Sequence, residues 1–96
     1  MAAYFIANQL EVTDPDTMAK YREGTGPTVA QYGGKMIVRG GAAELLEGEW
    51  PEGRMIVMVF DDMAALKAWY DSLEYSDLKA MRQSASKSNI MAVEGI

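Results

Sequence analysis

Three arginines, three aromatic side chains and one acid are the residues here best equipped for chemistry. Arg39 and Arg54 flank the connection between two predicted middle strands, and they are two of only four arginines in the chain. If those strands form a hairpin, both guanidiniums lie at one end of a sheet. A guanidinium fork matches a planar carboxylate or phosphate through paired hydrogen bonds, so the two can clamp a small anion. They can equally pair with Glu44, Glu47 or Glu94 and organise a loop or a dimer edge. With 14 acids in the chain, such pairing is the commoner fate. Arg82 follows Met81 at the border of an apolar helical stripe. It either enters a cleft between helix and sheet or pairs with Asp77 or Glu74. Trp69, Tyr70 and Tyr75 can line a pocket for a flat metabolite. Core packing is the alternative, and the helical spacing of Leu66, Trp69 and Leu73 favours it for Trp69. A buried Tyr75 needs a partner for its hydroxyl. Proton transfer, if the protein is an enzyme, would fall to Tyr75 or Glu44, with the arginines stabilising an oxyanion.

Other chemistries are absent by composition. The chain has no histidine and no cysteine. It therefore lacks the commonest general base, the commonest transition-metal ligand and any thiolate. Ser84, Ser86 and Ser88 alternate, but without a base they make a poor nucleophile set. Gly33–Gly34 and Gly40–Gly41 match no phosphate-loop pattern and read as turns. Asp61–Asp62 stands at a helix start, where capping explains it better than metal binding.

The elements that must position these residues follow from periodicity. Tyr4 to Val12 is a predicted strand, with Tyr4, Ile6, Leu10 and Val12 on one parity and Phe5, Ala7, Gln9 and Glu11 on the other. Thr13-Asp14-Pro15 starts a helix. Met18, Tyr21, Thr25, Val29 and Tyr32 recur along it at helical spacing. Pro27 cannot donate to the Glu23 carbonyl, which predicts a kink or a break. Gly33–Gly34 ends the helix. Lys35 to Gly41 is a strand, with Met36 and Val38 on one face and Ile37 and Arg39 on the other. Ala42 to Gly53 connects, with a short strand extension at Glu44 to Glu47 and a turn at Trp50-Pro51-Glu52-Gly53. Arg54 to Phe60 is the third strand. A second helix carries Met63, Leu66, Trp69, Tyr70 and Leu73. A break at Ser72–Glu74 precedes a short third helix with Tyr75, Leu78, Met81 and Ala85. Ser88 to Glu94 is the last strand.

This order is β-α-β-β-α-β with an extra helical piece: an α+β, ferredoxin-like domain over residues 1–96, with a four-stranded antiparallel sheet and helices on one face. Met55 to Phe60 is apolar at every position, so both of its faces need cover. The helices can supply only one. A second copy packed sheet on sheet supplies the other, which predicts a two-fold symmetric homodimer. A monomer would expose a large apolar patch. The net charge of −5 and the scattered lysines give no basic footprint for nucleic acid. No apolar run approaches the roughly 20 residues that span a bilayer. The N-terminal MAAYFIANQL does not read as a signal peptide, so a cytoplasmic location is expected.

The chain resembles domain-of-unknown-function family thirteen-thirty, within the dimeric α+β barrel superfamily. The resemblance rests on YFIANQLEVTDPDTMAKY, YGGKMIVRGG, LLEGEWPEGR, VMVFDD, AWYDSLEYSDLKAMR and the terminal VEG, and it covers nearly the whole chain. It implies the ferredoxin-like fold and a homodimer, and it names no activity. The wider superfamily includes cofactor-free monooxygenases, lactone isomerases, haem peroxidases and small-molecule effector domains. Fold alone does not choose among these.

The expected function is to bind or convert a small acidic or aromatic metabolite without a cofactor or metal. The ligand contacts would be Arg39, Arg54, Trp69, Tyr75 and Arg82, with Tyr75 and Glu44 as catalytic candidates. Two alternatives stand beside it: a non-catalytic dimeric accessory protein and a cofactor-free monooxygenase-like enzyme.

Overall fold

The computed structural model describes residues 1–96. Strand β1 (Ala3–Val12) lies at the centre of the sheet and leads into helix α1 (Pro15–Gln31). Asp14 caps that helix. Its carboxylate accepts from the Thr17 hydroxyl at 2.7 Å and the Thr17 amide at 3.2 Å, and these bonds hold its pKa below the usual value. Pro27 does not break the helix, contrary to the sequence expectation; α1 runs through it as one element. Pro27 and Glu23 are both exposed, so water can serve the carbonyl that loses its donor. Beyond the Tyr32 cap, Gly33 adopts φ +75° and the Gly34 amide returns to the Val29 carbonyl at 3.0 Å.

Strands β2 (Lys35–Arg39) and β3 (Arg54–Phe60) come next, then helices α2 (Met63–Tyr70) and α3 (Leu73–Ala85), then strand β4 (Ser86–Glu94). The spatial order is β2-β3-β1-β4, with all three pairings antiparallel. This is the ferredoxin-like arrangement, its second helical limb divided into α2 and α3. Asp62 caps α2 through the Ala65 amide at 2.7 Å, and Ser72 caps α3 through the Tyr75 amide. The alternating serines span the direct junction of α3 and β4. Ser84 belongs to α3, and Ser86 and Ser88 already belong to β4. The expected strand extension at Glu44 to Glu47 does not form; the connection between β2 and β3 is irregular and exposed.

A register shift in β2 decides which way its side chains point. Met36 pairs with Met58 and Arg39 with Ile56, while Val38 pairs with Val57. A β-bulge at Ile37 therefore interrupts the alternation. Met36 and Arg39 share the helix-covered face, and Val38 turns to the other. Simple alternation puts Met36 with Val38 and Arg39 opposite them; one extra residue in the strand reverses this.

The helix-covered face carries the core. Phe5, Ala7, Met58 and Phe60 from the sheet meet Met18, Val29, Leu66, Trp69 and Tyr75 from the helices. The uncovered face carries Tyr4, Ile6 and Leu10 from β1, Met55, Val57 and Val59 from β3, and Met91 and Val93 from β4. Leu10, Val38, Met91 and Val93 are exposed there. No helix is long and apolar enough to cross a membrane.

Candidate functional site

A cavity of about 290 Å³ lies between the sheet and the middle of α1, at the end where β1 and β2 finish and β3 and β4 begin. Its size is near the lower limit for small-molecule sites, roughly 300–1,000 Å³. The floor is apolar: Phe5, Ala7, Met36, Ile56 and Met58. Gln9 and Ser88, neighbours across the β1–β4 ladder, add polar groups at the strand ends. Met18, Tyr21, Arg22, Thr25 and Gly26 face it from α1, and Arg82 from α3.

All four arginines of the chain, Arg22, Arg39, Arg54 and Arg82, line this one cavity, and no aspartate or glutamate does. None of the four makes an ion pair. The two ion pairs in the protein join Lys79 to Asp71 and Lys87 to Glu11, and none of these four residues lines the cavity. Pairing of Arg39 or Arg54 with Glu44, Glu47 or Glu94, the commoner fate on composition, is therefore not what the fold does. The Arg39 Nε instead donates to the thioether of Met36 at 2.9 Å, a weak acceptor for a cation. Gly40, at φ +63°, sits directly under Arg54; a β-carbon there would overlap the Arg54 side chain. Glycine thus serves both the left-handed turn and the path of the guanidinium stem.

Arg82 is set apart from the others by burial. It is 8% exposed, whereas Arg22 and Arg39 are exposed and Arg54 is half-buried. Its Nε donates to the Tyr75 hydroxyl at 3.3 Å, and its Nη2 is buried with no partner. Burial works against its charge, but the hydrogen bond from Arg82 to Tyr75 and the nearby Tyr21 and Tyr70 hydroxyls more than offset it, and its pKa is raised. Tyr75 and Tyr21 share a hydrogen bond of 2.7 Å between their hydroxyls. The direction of the chain of bonds comes from donor chemistry. Arg82 can only donate, so the Tyr75 oxygen accepts. A fully buried Tyr75 proton then needs the Tyr21 oxygen. That leaves the Tyr21 proton free, on a residue that lines the cavity.

Burial first, and then Tyr21 beside it, push the Tyr75 phenol well above its ordinary value near 10. Tyr75 stays neutral and acts as a donor rather than a base. This gives stability a sign at high pH. Above about pH 10 an unfolded tyrosine loses its proton while the folded one keeps it, so rising pH favours unfolding. Urea unfolding at pH 8 and pH 11 should show the wild type losing more stability than Tyr75→Phe over that interval. At pH 8 the same variant should already be weaker by about 1–3 kcal/mol, since Tyr21 and Arg82 each lose a buried partner. Equal alkaline slopes for the two proteins would contradict this assignment.

The remaining sequence candidates lie elsewhere. Trp69 and Tyr75 are fully buried and stack on each other at 4.1 Å between ring centres, behind the cavity rather than on its wall. Glu44 is exposed in the connection between β2 and β3 and does not reach the lining. Tyr21 and Arg22 are lining residues that the sequence does not single out. Tyr21 is legible only as part of a helical stripe, and nothing local distinguishes Arg22 from a solvated arginine.

The fold and cavity together define a small ferredoxin-like α+β protein with a cationic pocket under its helices. Residues 2–96 match the family described as "Domain of unknown function (DUF1330)", and the chain belongs to that family. No curated protein sequence matches it. Similar solved structures include a protein of unknown function from Rhodopseudomonas palustris, with a TM-score of 0.75 at 19% identity, covering 99% of this chain and 82% of that one. A dimeric ferredoxin-like protein of unknown function from a Jannaschia species has a TM-score of 0.68 at 13% identity, covering 99% and 100%. SnoaB, a cofactor-independent oxygenase from Streptomyces nogalater, has a TM-score of 0.66 at 13% identity, covering 99% and 93%. At these identities the likeness concerns the fold.

Proposed function

We propose that this protein binds a small organic anion in the cavity under α1, and that it does so as a homodimer. One observation carries the first part: in a chain of net charge −5, all four arginines line one cavity and no acid does. Unpaired cations gathered over an apolar floor repel one another, and a bound anion relieves that repulsion. The apolar floor suits the carbon body of a small acidic or aromatic metabolite. Arg39, Arg54 and Arg82 are the proposed contacts from the sequence, with Arg22 and Tyr21 added by the fold. Tyr75 acts through Tyr21 and Arg82 as a positioning residue.

The dimer reading rests on the uncovered sheet face. It presents apolar side chains from every strand, and a related fold is described as dimeric. The base of the β2–β3 connection lies against that same face, where the Asn8 amide donates to the Pro51 carbonyl at 3.2 Å. The same connection carries three exposed apolar side chains, Leu45, Leu46 and Trp50. A standard interface buries about 800 Å² per partner.

A thermal-shift screen against small carboxylates and phenols tests the binding reading. A ligand at 100 times its Kd stabilises by about 2.7 kcal/mol. Arg54→Gln should weaken that ligand by roughly 10–100-fold, the worth of one charged hydrogen-bonded contact of about 1.5–3 kcal/mol. A flat screen with an intact dimer would support the non-catalytic accessory reading instead. A second enzymatic reading draws on the kinship of fold with a cofactor-independent oxygenase. The cationic lining would favour the phenolate of a bound phenol, the electron-rich form for oxygen chemistry. Oxygen uptake with an electron-rich phenol and no added metal would support it.

A further inference from the structure

We propose that the natural ligand carries two anionic groups, one taken at the inner end of the cavity by Arg82 and Tyr21, the other at the rim by Arg39 and Arg54. This deepens the anion-binding reading and rests on it. The arginines are not equivalent. Arg82 is more than nine-tenths buried, and its Nη2 finds no acceptor within the protein. A buried guanidinium nitrogen without an acceptor is costly, and a ligand oxygen is the acceptor the site lacks. The Tyr21 proton, left free by the Tyr75–Tyr21 bond, is available at the same end. Arg39 and Arg54 stand at the mouth, held on the strand ends by the bulge and by Gly40.

The two groups enter from different elements and at different depths. Arg39 is exposed and Arg54 half-buried at the ends of β2 and β3, whereas Arg82 comes from α3, which packs on α1, and is buried. Between them lies the apolar floor, suited to a short carbon spacer or a ring. Charge points the same way. A monoanion would leave three of the four cations uncompensated.

The test is titration calorimetry at fixed pH and ionic strength with matched pairs: glutarate against butyrate, adipate against hexanoate, terephthalate against benzoate. The best dicarboxylate should bind at least about tenfold tighter than its monoacid partner. Arg82→Gln and, separately, Arg39→Gln should each erase that difference. Arg39 is exposed, so its variant keeps the test valid if Arg82→Gln fails to fold. Equal affinities within every pair would overturn the two-anion proposal while leaving anion binding intact. Inorganic phosphate binding tighter than every dicarboxylate would also overturn it, in favour of one multiply charged group. No binding by any of these acids or by phosphate would remove the anion-binding reading itself, and this proposal with it.

Discussion

Alanine in place of Trp69 is expected to leave a chain close to unfolded at 37 °C. The indole has no solvent exposure. It meets Phe5 edge-on at 5.4 Å, Phe60 at 5.5 Å and Tyr75 at 4.1 Å, so it joins both layers of the fold. Its Nε1 donates to the Thr28 hydroxyl at 3.0 Å, which itself donates to the Thr25 carbonyl at 2.8 Å. Truncation removes the ring, empties its volume and takes a donor from α1. Losses of this kind run to about 3–5 kcal/mol. A domain of this size holds only about 5–15 kcal/mol in all. The melting temperature should fall by about 4–8 °C for each kcal/mol lost. Trp69→Phe keeps a ring in place and should cost far less. A loss below about 1 kcal/mol for Trp69→Ala, measured by urea unfolding, would mean that the indole does not hold the two layers together.

Lysine in place of Val57 is expected to split the proposed dimer. Val57 lies mid-strand in β3, opposite Ile6 on one side and Val38 on the other, on the face no helix covers. Two-fold symmetry would bring two such lysines into one apolar interface. Each would be stripped of water without a partner, which costs several kcal/mol per ion. Dimer affinity should drop by at least roughly a thousandfold, or about 4 kcal/mol. Sedimentation at micromolar concentration would then show a single-copy particle, against a two-copy particle for the wild type. If the face is free surface, the substitution changes neither mass nor stability beyond about 0.5 kcal/mol. That result would remove the homodimer. The cavity lies on the opposite side of the sheet, so its ligand test is separable from this one.

Much of the fold is legible in the sequence because the interactions that specify it are local. Asp14 followed by Pro15, and Asp62 before Met63, mark helix starts by their own hydrogen-bonding capacity. Met55 to Phe60 declares a strand with two apolar faces by composition alone. The misreadings also have local causes. Pro27 predicts an interruption of α1, yet the chain holds the helix through it where water can reach the freed carbonyl. Met36 to Arg39 reads as an even alternation, and the bulge at Ile37 leaves no mark in residue type.

The site is half legible for the same reason. Arg39 and Arg54 stand out as a flanking pair, and Arg82 as a border residue of its stripe. Nothing in their spacing tells whether acids will meet them. Tyr21 and Trp69 carry the same helical signature, yet one borders the cavity and the other fills the core. That difference depends on how each helix is rotated over the sheet.

From the sequence alone came the strand and helix order, the missing histidine and thiol chemistry, and the apolar character of both faces of β3. These depend on residue type and on neighbours a few positions away. Only the tertiary structure decided that Arg22, Arg39, Arg54 and Arg82 meet in one place without an acid. Residues 60 positions apart become neighbours through a one-residue bulge, a strand order and a helix rotation, and no local pattern encodes their sum.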